Sequence, residues 1–245
     1  MNHRPVLLIV LYSMAVASFS GCSGGGGEAS PSVPVQSVSN FPLLTAIAGY
    51  INSTRSYQTS MTGTAFASTI PNTPFSGSGT FSESSKSWIF EGVQGIAKSS
   101  SLTATLQLAG QNMPFADTNV TYFDSNYKAL GSTSATSYCV VTSSNPMPTT
   151  AKIGDNGVWY VSTCYTDSTK KTKVGTGTAS YALEPDTQTT AILKLIVKAV
   201  DNGGNTVVTG SSSLRITVNG DVSRFAETAT LTAAGITLNY TATYQ

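Results

Sequence analysis

The strongest constraint on this chain is an alternation of apolar and polar residues that recurs along much of its length. In residues 102–108 the even-numbered positions are apolar and the odd-numbered ones polar, and residues 214–219 and 236–244 alternate in the same way. A period of two places successive side chains on opposite faces of a β-strand. Each segment therefore predicts a strand with one buried face and one face in water.

Turn signals separate these segments at intervals of roughly 8 to 16 residues. Asn219-Gly220-Asp221 is typical of a tight turn, because Asn and Gly accept positive φ, and residues 201–205 form a second Asn/Gly-rich turn signal. Connections this short join antiparallel neighbours and leave no room for βαβ crossovers. The chain is therefore predicted to be mostly β, an antiparallel meander that forms a curved sheet or half-barrel, or else a β-sandwich.

One stretch near the N-terminal side predicts a short helix. Residues 41–54 follow Asn40 as a candidate cap and carry Pro42 in the first turn, and their apolar residues recur at helical spacing. These apolar residues are Leu43, Leu44, Ile47, Tyr50 and Ile51. We expect this helix to pack on the sheet, within a single β-rich domain that spans residues 41–245.

Residues 1–21 are typical of an export signal. They carry Arg4 and an apolar run over residues 5–17, which is shorter than the roughly 20 residues that a transmembrane helix needs. Two cleavage sites compete, one after Ala15-Val16-Ala17 and one before Cys22. The glycines at 24–27 favour the second, because residues 22–40 then form a Gly/Ser/Pro tether behind the cleavage site.

The stretch Ser18-Phe19-Ser20-Gly21-Cys22-Ser23 resembles the lipobox of bacterial lipoproteins, with Phe19 where Leu is usual. The resemblance implies that Cys22 carries a diacylglyceryl thioether and an N-linked acyl chain, which hold the protein on a lipid bilayer. It also implies palmitate-type acylation and, with Ser23 after the cysteine, the outer membrane as destination, facing the periplasm or the surface. The order of leader, cysteine, helix and meander is similar to that of lipid-carrying half-barrel lipoproteins.

Two cysteines remain once Cys22 is assigned to the anchor. Cys139 and Cys164 both lie in strand-like contexts, and an oxidising envelope favours their pairing. We therefore expect a structural disulfide between them.

Composition and charge exclude several classes of function. Of 13 basic and 12 acidic residues, Arg4 lies in the leader, so 12 of each remain and nothing favours nucleic acid as a partner. The single histidine is His3, so residues 22–245 offer neither a Ser-His or Cys-His pair nor a histidine metal ligand. No metal site and no cofactor are predicted.

Candidate catalytic patterns are weak. Ser125 and Lys128 have Ser-x-x-Lys spacing, but they follow a strand in a turn-like stretch, whereas that chemistry needs the serine at a helix start. Glu184 and Asp186 flank Pro185 in a predicted turn, and a glycosidase pair normally comes from separate strands. No catalytic residue is predicted.

Two functions agree with these observations. The first is a non-enzymatic structural or interaction module anchored in the envelope, with an envelope protein as partner. The alternative is a binding or carrier protein for a lipid or another hydrophobic ligand, and an enzyme ranks below both. An apolar, solvent-reachable cavity of a few hundred Å³ would favour the alternative, whereas a completely packed sheet would favour the interaction module.

The anchor makes a direct prediction. Cys22→Ala removes the acyl acceptor, so we expect palmitate labelling to be lost and the protein to move to the soluble fraction. Metabolic labelling and fractionation measure both. Unchanged membrane association of the variant would contradict the lipobox assignment.

Overall fold

A computed structural model describes residues 37, 39–67, 70–233 and 235–245 of the chain. Within these residues it contains one helix and twelve strands. They are α1 (Leu43–Asn52), β1 (Arg55–Ala67), β2 (Ile70–Phe90), β3 (Val93–Leu108), β4 (Gln111–Asp124), β5 (Ala129–Ser134), β6 (Tyr138–Ser144), β7 (Asn156–Tyr165), β8 (Lys173–Pro185), β9 (Thr190–Asp201), β10 (Thr206–Thr217), β11 (Val222–Ala233) and β12 (Ile236–Tyr244).

The strands form one closed antiparallel barrel. Each strand pairs with the next along the chain, and β12 returns to β1 over a register that runs from Thr59↔Tyr244 to Ala67↔Ile236. The predicted mostly-β antiparallel meander is confirmed. Its closure goes one step beyond a curved sheet and leaves no open edge strand within the described barrel.

The alternation in sequence separates the inner face of the barrel wall from its outer face. Met61 and Ala65 of β1 are buried inside, and so are the even-numbered residues of β12 from Leu238 to Tyr244, as the pattern of residues 236–244 predicts. The outer face carries exposed serines and threonines. On β1, β2 and β12 these include Ser56, Ser60, Thr62, Ser76, Ser78, Thr80, Thr241 and Thr243.

Helix α1 lies at one end of the barrel, where the β6–β7 and β10–β11 connections also lie. It buries Leu43, Ala46, Ile47 and Ile51. The predicted helix is confirmed, but it begins two residues later than expected and Asn40 does not cap it. The N-cap residue is Pro42 instead, without a side-chain cap, because the preceding Phe41 forms a β-bridge with Ala151.

Two apolar cores fill the barrel interior. The core next to α1 gathers helix residues and the inward side chains of several strands, including Phe123, Trp159, Leu183, Leu193, Leu195, Leu214 and Ile216. The core towards the other end includes Met61, Phe75, Phe81, Leu102, Val197, Val208, Leu231 and Tyr244. Buried charged residues lie between them, and we call this level the polar layer, formed by Tyr50, Glu83, Lys98, Ser100, Asn119, Thr121, Ser212, Arg224 and Glu227.

The β2–β3 hairpin folds its tip over the outside of the barrel. Phe90 stacks on Tyr122 and Tyr138, with ring centroids 4.3 and 5.3 Å away. At the same tip, the Tyr138 hydroxyl donates to Glu91 at 2.6 Å. Residue 131 is glycine because a Cβ there would meet the Phe90 ring at 2.5 Å. The tip is thus held against β5 and β6.

The predicted disulfide is present between β6 and β7. Cys139 and Cys164 are directly opposite each other in the ladder, with Cα atoms 4.0 Å apart. Cys22, the signal at residues 1–21 and most of the tether lie outside the described residues.

The disulfide predicts a loss of stability on its removal. It spans 25 residues of sequence, and on the chain-entropy model closing a loop of that length stabilises the fold by about 3–4 kcal/mol. We expect the Cys139→Ser/Cys164→Ser variant to lose about that much free energy of unfolding in urea titrations. Reactive Cys139 and Cys164 thiols in the unreduced exported protein would contradict the bond.

Candidate functional site

Arg224 is the centre of the polar layer. It lies on the inner face of β11, is 5% exposed, and donates hydrogen bonds to side chains from three other elements and from its own strand. Its Nη2 group donates to the Tyr50 hydroxyl at 2.7 Å and to Glu83 at 3.1 Å, and Nη1 donates to Ser212 at 2.9 Å and to Glu227 at 3.0 Å. These bonds join α1 to β2, β10 and β11.

The Glu227 carboxylate receives further donors from β12. The Tyr240 and Tyr244 hydroxyls donate to it at 3.1 and 2.9 Å, in addition to Arg224. Burial raises the pKa of Glu227, and Arg224 and the two hydroxyls partly offset this effect. Charge-assisted bonds of this kind are what a carboxylate needs in order to remain buried inside a fold.

Lys98 fixes the residues that follow α1. Its ammonium group donates to the Ser53 carbonyl at 2.6 Å and lies 3.8 Å from Glu83. Burial lowers the pKa of Lys98 to about 8, although the nearby Glu83 partly opposes the shift. Ser85 also donates to the carbonyl of Ile51, so the C-terminal end of α1 is bound to the barrel wall through its own backbone.

A small cavity of about 50 Å³ lies within the polar layer. Lys98, Asn119, Trp159 and Arg224 are among the residues that line it. Among the described residues, Asn119 Oδ1, Trp159 Nε1 and Arg224 Nε are buried without a hydrogen-bond partner. One water needs about 10–15 Å³, so this cavity has the size and polarity of a site for a few bound waters. We interpret the polar layer as a structural element.

A second, larger cavity is apolar and opens at the end of the barrel opposite α1. We call it the rim recess. It has a volume of about 260 Å³ and lies where the β5–β6, β7–β8 and β9–β10 connections meet. Its apolar lining consists of Cys164, Val174, Ala199, Val200, Val207, Val208 and Leu231, and Thr136, Ser137, Thr176, Asp201 and Thr232 add polar groups.

Small residues form part of the wall of the recess. Gly175 and Ala199 face inwards on β8 and β9, and residue 175 must be glycine because a Cβ there would meet the backbone carbonyl oxygen of Val200. The disulfide forms part of the wall through Cys164, which fixes the ends of β6 and β7 beside the recess. The arrangement can receive an apolar group from solvent, and it offers no catalytic constellation of its own.

The structure does not bring the weak catalytic candidates together. Asp124 Oδ1 accepts the backbone N–H groups of Asn126 and Lys128, which shows that Ser125–Lys128 is the β4–β5 turn. Glu184 and Asp186 have separate partners, Lys194 at 2.8 Å and Arg215 at 2.7 Å.

Sequence reasoning missed both the polar layer and the rim recess. One local signal for the polar layer did exist at Glu83. On β2 the inward-facing Phe75 and Phe81 are odd-numbered, and Glu83 is odd-numbered too, so the alternation alone predicts a buried carboxylate there. No comparable local signal marks the recess, which is assembled from strands distant in sequence.

Over residues 37, 39–67, 70–233 and 235–245 no helix reaches the length and hydropathy that crossing a bilayer requires. In the same part of the chain, no group of three or more His, Cys, Asp or Glu side chains is placed to hold a metal ion.

Comparison of the chain with protein-family models, with curated proteins and with solved structures found no match.

The lowered pKa of Lys98 predicts a pH dependence of stability. The folded protein releases this proton near pH 8, whereas an unfolded lysine keeps it to about pH 10.4. Between about pH 8 and about pH 10 the unfolded state therefore binds more protons than the folded state, and the free energy of unfolding rises with pH over this range. Above about pH 10 the trend reverses, because burial raises the pKa values of Tyr240 and Tyr244.

Chemical unfolding measured from pH 7 to 9.5 checks this expectation. The rise in the free energy of unfolding with pH should be absent from Lys98→Met. It should persist in Lys152→Met, which changes an exposed lysine. Equal slopes in wild type and Lys98→Met would show that Lys98 does not cause the dependence.

Proposed function

We propose that this protein is a non-enzymatic binding module of the cell envelope that receives a small apolar ligand in the rim recess. The observation that carries the proposal is the recess itself, an apolar cavity of about 260 Å³ reachable from solvent at one end of a rigid barrel. Ligand sites are typically concave and apolar with a few polar groups at fixed positions, and the mouths of β-barrels are common places for them.

The filled interior supports binding at the rim rather than transport through the barrel. Two apolar cores and the polar layer occupy the space below the recess, and α1 occupies the other end. A ligand in the recess therefore meets a fixed floor that includes Val208 and Leu231, which are 7% and 3% exposed. Such a site is preformed, so little binding energy is lost in ordering it.

The outer wall supports an aqueous location for the barrel. Lipid-facing barrels present a continuous apolar band to the membrane, whereas β1, β2 and β12 present serine and threonine hydroxyls outwards. In this proposal the acylated Cys22 anchors the protein to the outer membrane, and the tether holds the barrel in water at the periplasmic or external surface.

A second candidate is an interaction module that binds an envelope protein through the β2–β3 hairpin. Trp88, Ile89 and Val93 near its tip are 47%, 61% and 42% exposed, an unusual apolar concentration on a wall of hydroxyls. Exposed apolar clusters of this kind are typical of protein–protein contacts.

The fluorescence of N-phenylnaphthylamine, a neutral apolar probe, tests the first candidate. We expect saturable binding to wild type and a loss of about tenfold or more in affinity for Val174→Asp, because the new carboxylate must be desolvated when the probe enters. Val218→Asp is the matched control, since Val174 and Val218 are 36% and 38% exposed and Val218 lies outside the recess.

The outcome separates the two candidates. If Val174→Asp and Val218→Asp weaken probe binding equally, or if the wild type shows no saturable binding, the rim recess is not the binding site. Probe binding that is lost only in a Trp88→Ser/Ile89→Ser variant would place the apolar binding surface at the hairpin and favour the interaction module.

A further inference from the structure

We infer that the cavity in the polar layer binds one monovalent anion of about the size of chloride, which accepts hydrogen bonds from Lys98, Trp159 and Arg224. The inference is independent of the proposed function, because this cavity lies between the two apolar cores, whereas the rim recess lies at the end of the barrel. It assigns a ligand to a part of the interior whose donors the protein itself leaves unmatched.

The charged residues on the wall of this cavity are cations. Among the described residues that form the wall, Lys98 and Arg224 carry charge, and none carries a carboxylate. Glu83 and Glu227 contact Arg224 through its two Nη groups, away from Nε. Arg55 lies close enough to Lys98 to add a further positive charge. The cavity therefore presents a positive wall, and because two carboxylates already lie nearby, a singly charged anion suits it better than a doubly charged one.

Three N–H donors on this wall lack a close acceptor among the described residues. Lys98 donates two protons to the carbonyl and hydroxyl of Ser53, at 2.6 and 3.1 Å, and Glu83 Oε2 at 3.8 Å is too distant to accept the third. Arg224 uses both Nη groups and leaves Nε without a partner, and Trp159 Nε1 has none either. A buried donor without an acceptor costs free energy, which a bound acceptor recovers.

The indole of Trp159 is held in place by neighbouring rings. It is 4% exposed, stacks on Phe123 with ring centroids 5.8 Å apart, and meets Tyr160 edge-on at 5.5 Å. All three aromatic residues line the cavity. Trp159 therefore has little freedom to turn its N–H group towards another acceptor.

An anion matches this set of donors better than water does. A water molecule needs acceptors for its own two protons, whereas an anion accepts from every donor and donates to none. On the described wall the orphaned acceptor is Asn119 Oδ1, and its amide nitrogen donates to Thr121 at 3.4 Å. A half-turn of that amide exchanges its oxygen and nitrogen, which turns a fourth donor towards the anion. The volume of about 50 Å³ has room for a monatomic anion beside one or two waters.

Bromide, a heavy halide that quenches tryptophan fluorescence, tests the site directly. The chain has two tryptophans, so Trp88→Phe leaves Trp159 as the only one. We expect bromide to quench Trp159 saturably in this variant, and chloride to reverse the quenching at constant ionic strength. In the control, Trp159→Phe, the remaining Trp88 is 47% exposed. Its quenching should be collisional, rise without saturation and show no competition by chloride.

Thermal unfolding measures the same binding without a fluorescent reporter. At constant ionic strength, replacing gluconate, which is too large for the cavity, by chloride should raise the unfolding midpoint saturably, because the anion binds the folded state. At ten times Kd, the folding equilibrium constant should rise about tenfold and the midpoint by about 3–6 °C. Trp159→Phe keeps the aromatic ring but loses a donor, so it should need about tenfold more chloride for the same effect. Trp88→Phe should respond like the wild type.

The outcomes separate a bound anion from bound water. If bromide quenches Trp159 without saturation, or if chloride and gluconate give equal midpoints, the cavity holds water only and the inference is wrong. An undiminished chloride effect in Trp159→Phe would place the bound anion elsewhere and also overturn the site. If Trp159→Phe does not fold, Lys98→Met replaces it, because this change removes a donor and a positive charge from the wall and should abolish the chloride effect.

Discussion

The fold depends on the buried ion cluster around Arg224. A guanidinium inside a barrel is costly unless acceptors surround it, and here its two Nη groups donate to two carboxylates and two hydroxyls. Removal of one partner would leave an uncompensated buried charge, which typically costs about 3–5 kcal/mol. The cluster brings Tyr50 of α1, Glu83 of β2 and Arg224 of β11 together in one geometry, because each of its hydrogen bonds depends on direction as well as on distance.

The same cluster explains why α1 can close one end of the barrel. A ten-residue helix is too short to be stable alone, and its buried face reaches only the core beneath it. Tyr50 connects that helix to Arg224 and Glu83, while Lys98 holds the carbonyl of Ser53. The helix end is thus satisfied by the wall of the barrel, which leaves the opposite end for the recess.

Local pattern was enough to predict the strands and their faces. The alternation in residues 102–108 and 236–244 arises wherever one face of a strand is buried. Leu102, Leu238 and Tyr240, which lie on the predicted inner face, are buried in the barrel. The helix was predicted with the wrong start, because the pairing of Phe41 with Ala151 is a contact across 110 residues that no local signal reports.

Closure and the recess could not be predicted for a physical reason. Whether a meander closes depends on the tilt and stagger of all its strands together, and a sequence read segment by segment carries neither quantity. The contact between Arg224 and Glu83 joins residues 141 positions apart, so its partners are specified only once the barrel has closed. The cysteine pair was easier to predict, since setting Cys22 aside as the expected acyl acceptor left Cys139 and Cys164 as the single possible pair.

The position of the recess follows from the way this barrel is filled. A closed wall of twelve strands encloses a wide interior, and this interior is filled differently at different levels. The helix packs into it at one end and the polar layer lies in the middle, while at the other end the rim recess stays open. Apolar surface exposed in this way costs free energy in water, and a ligand that covers it recovers that cost. The least complete part of the core is therefore also the part best suited to bind.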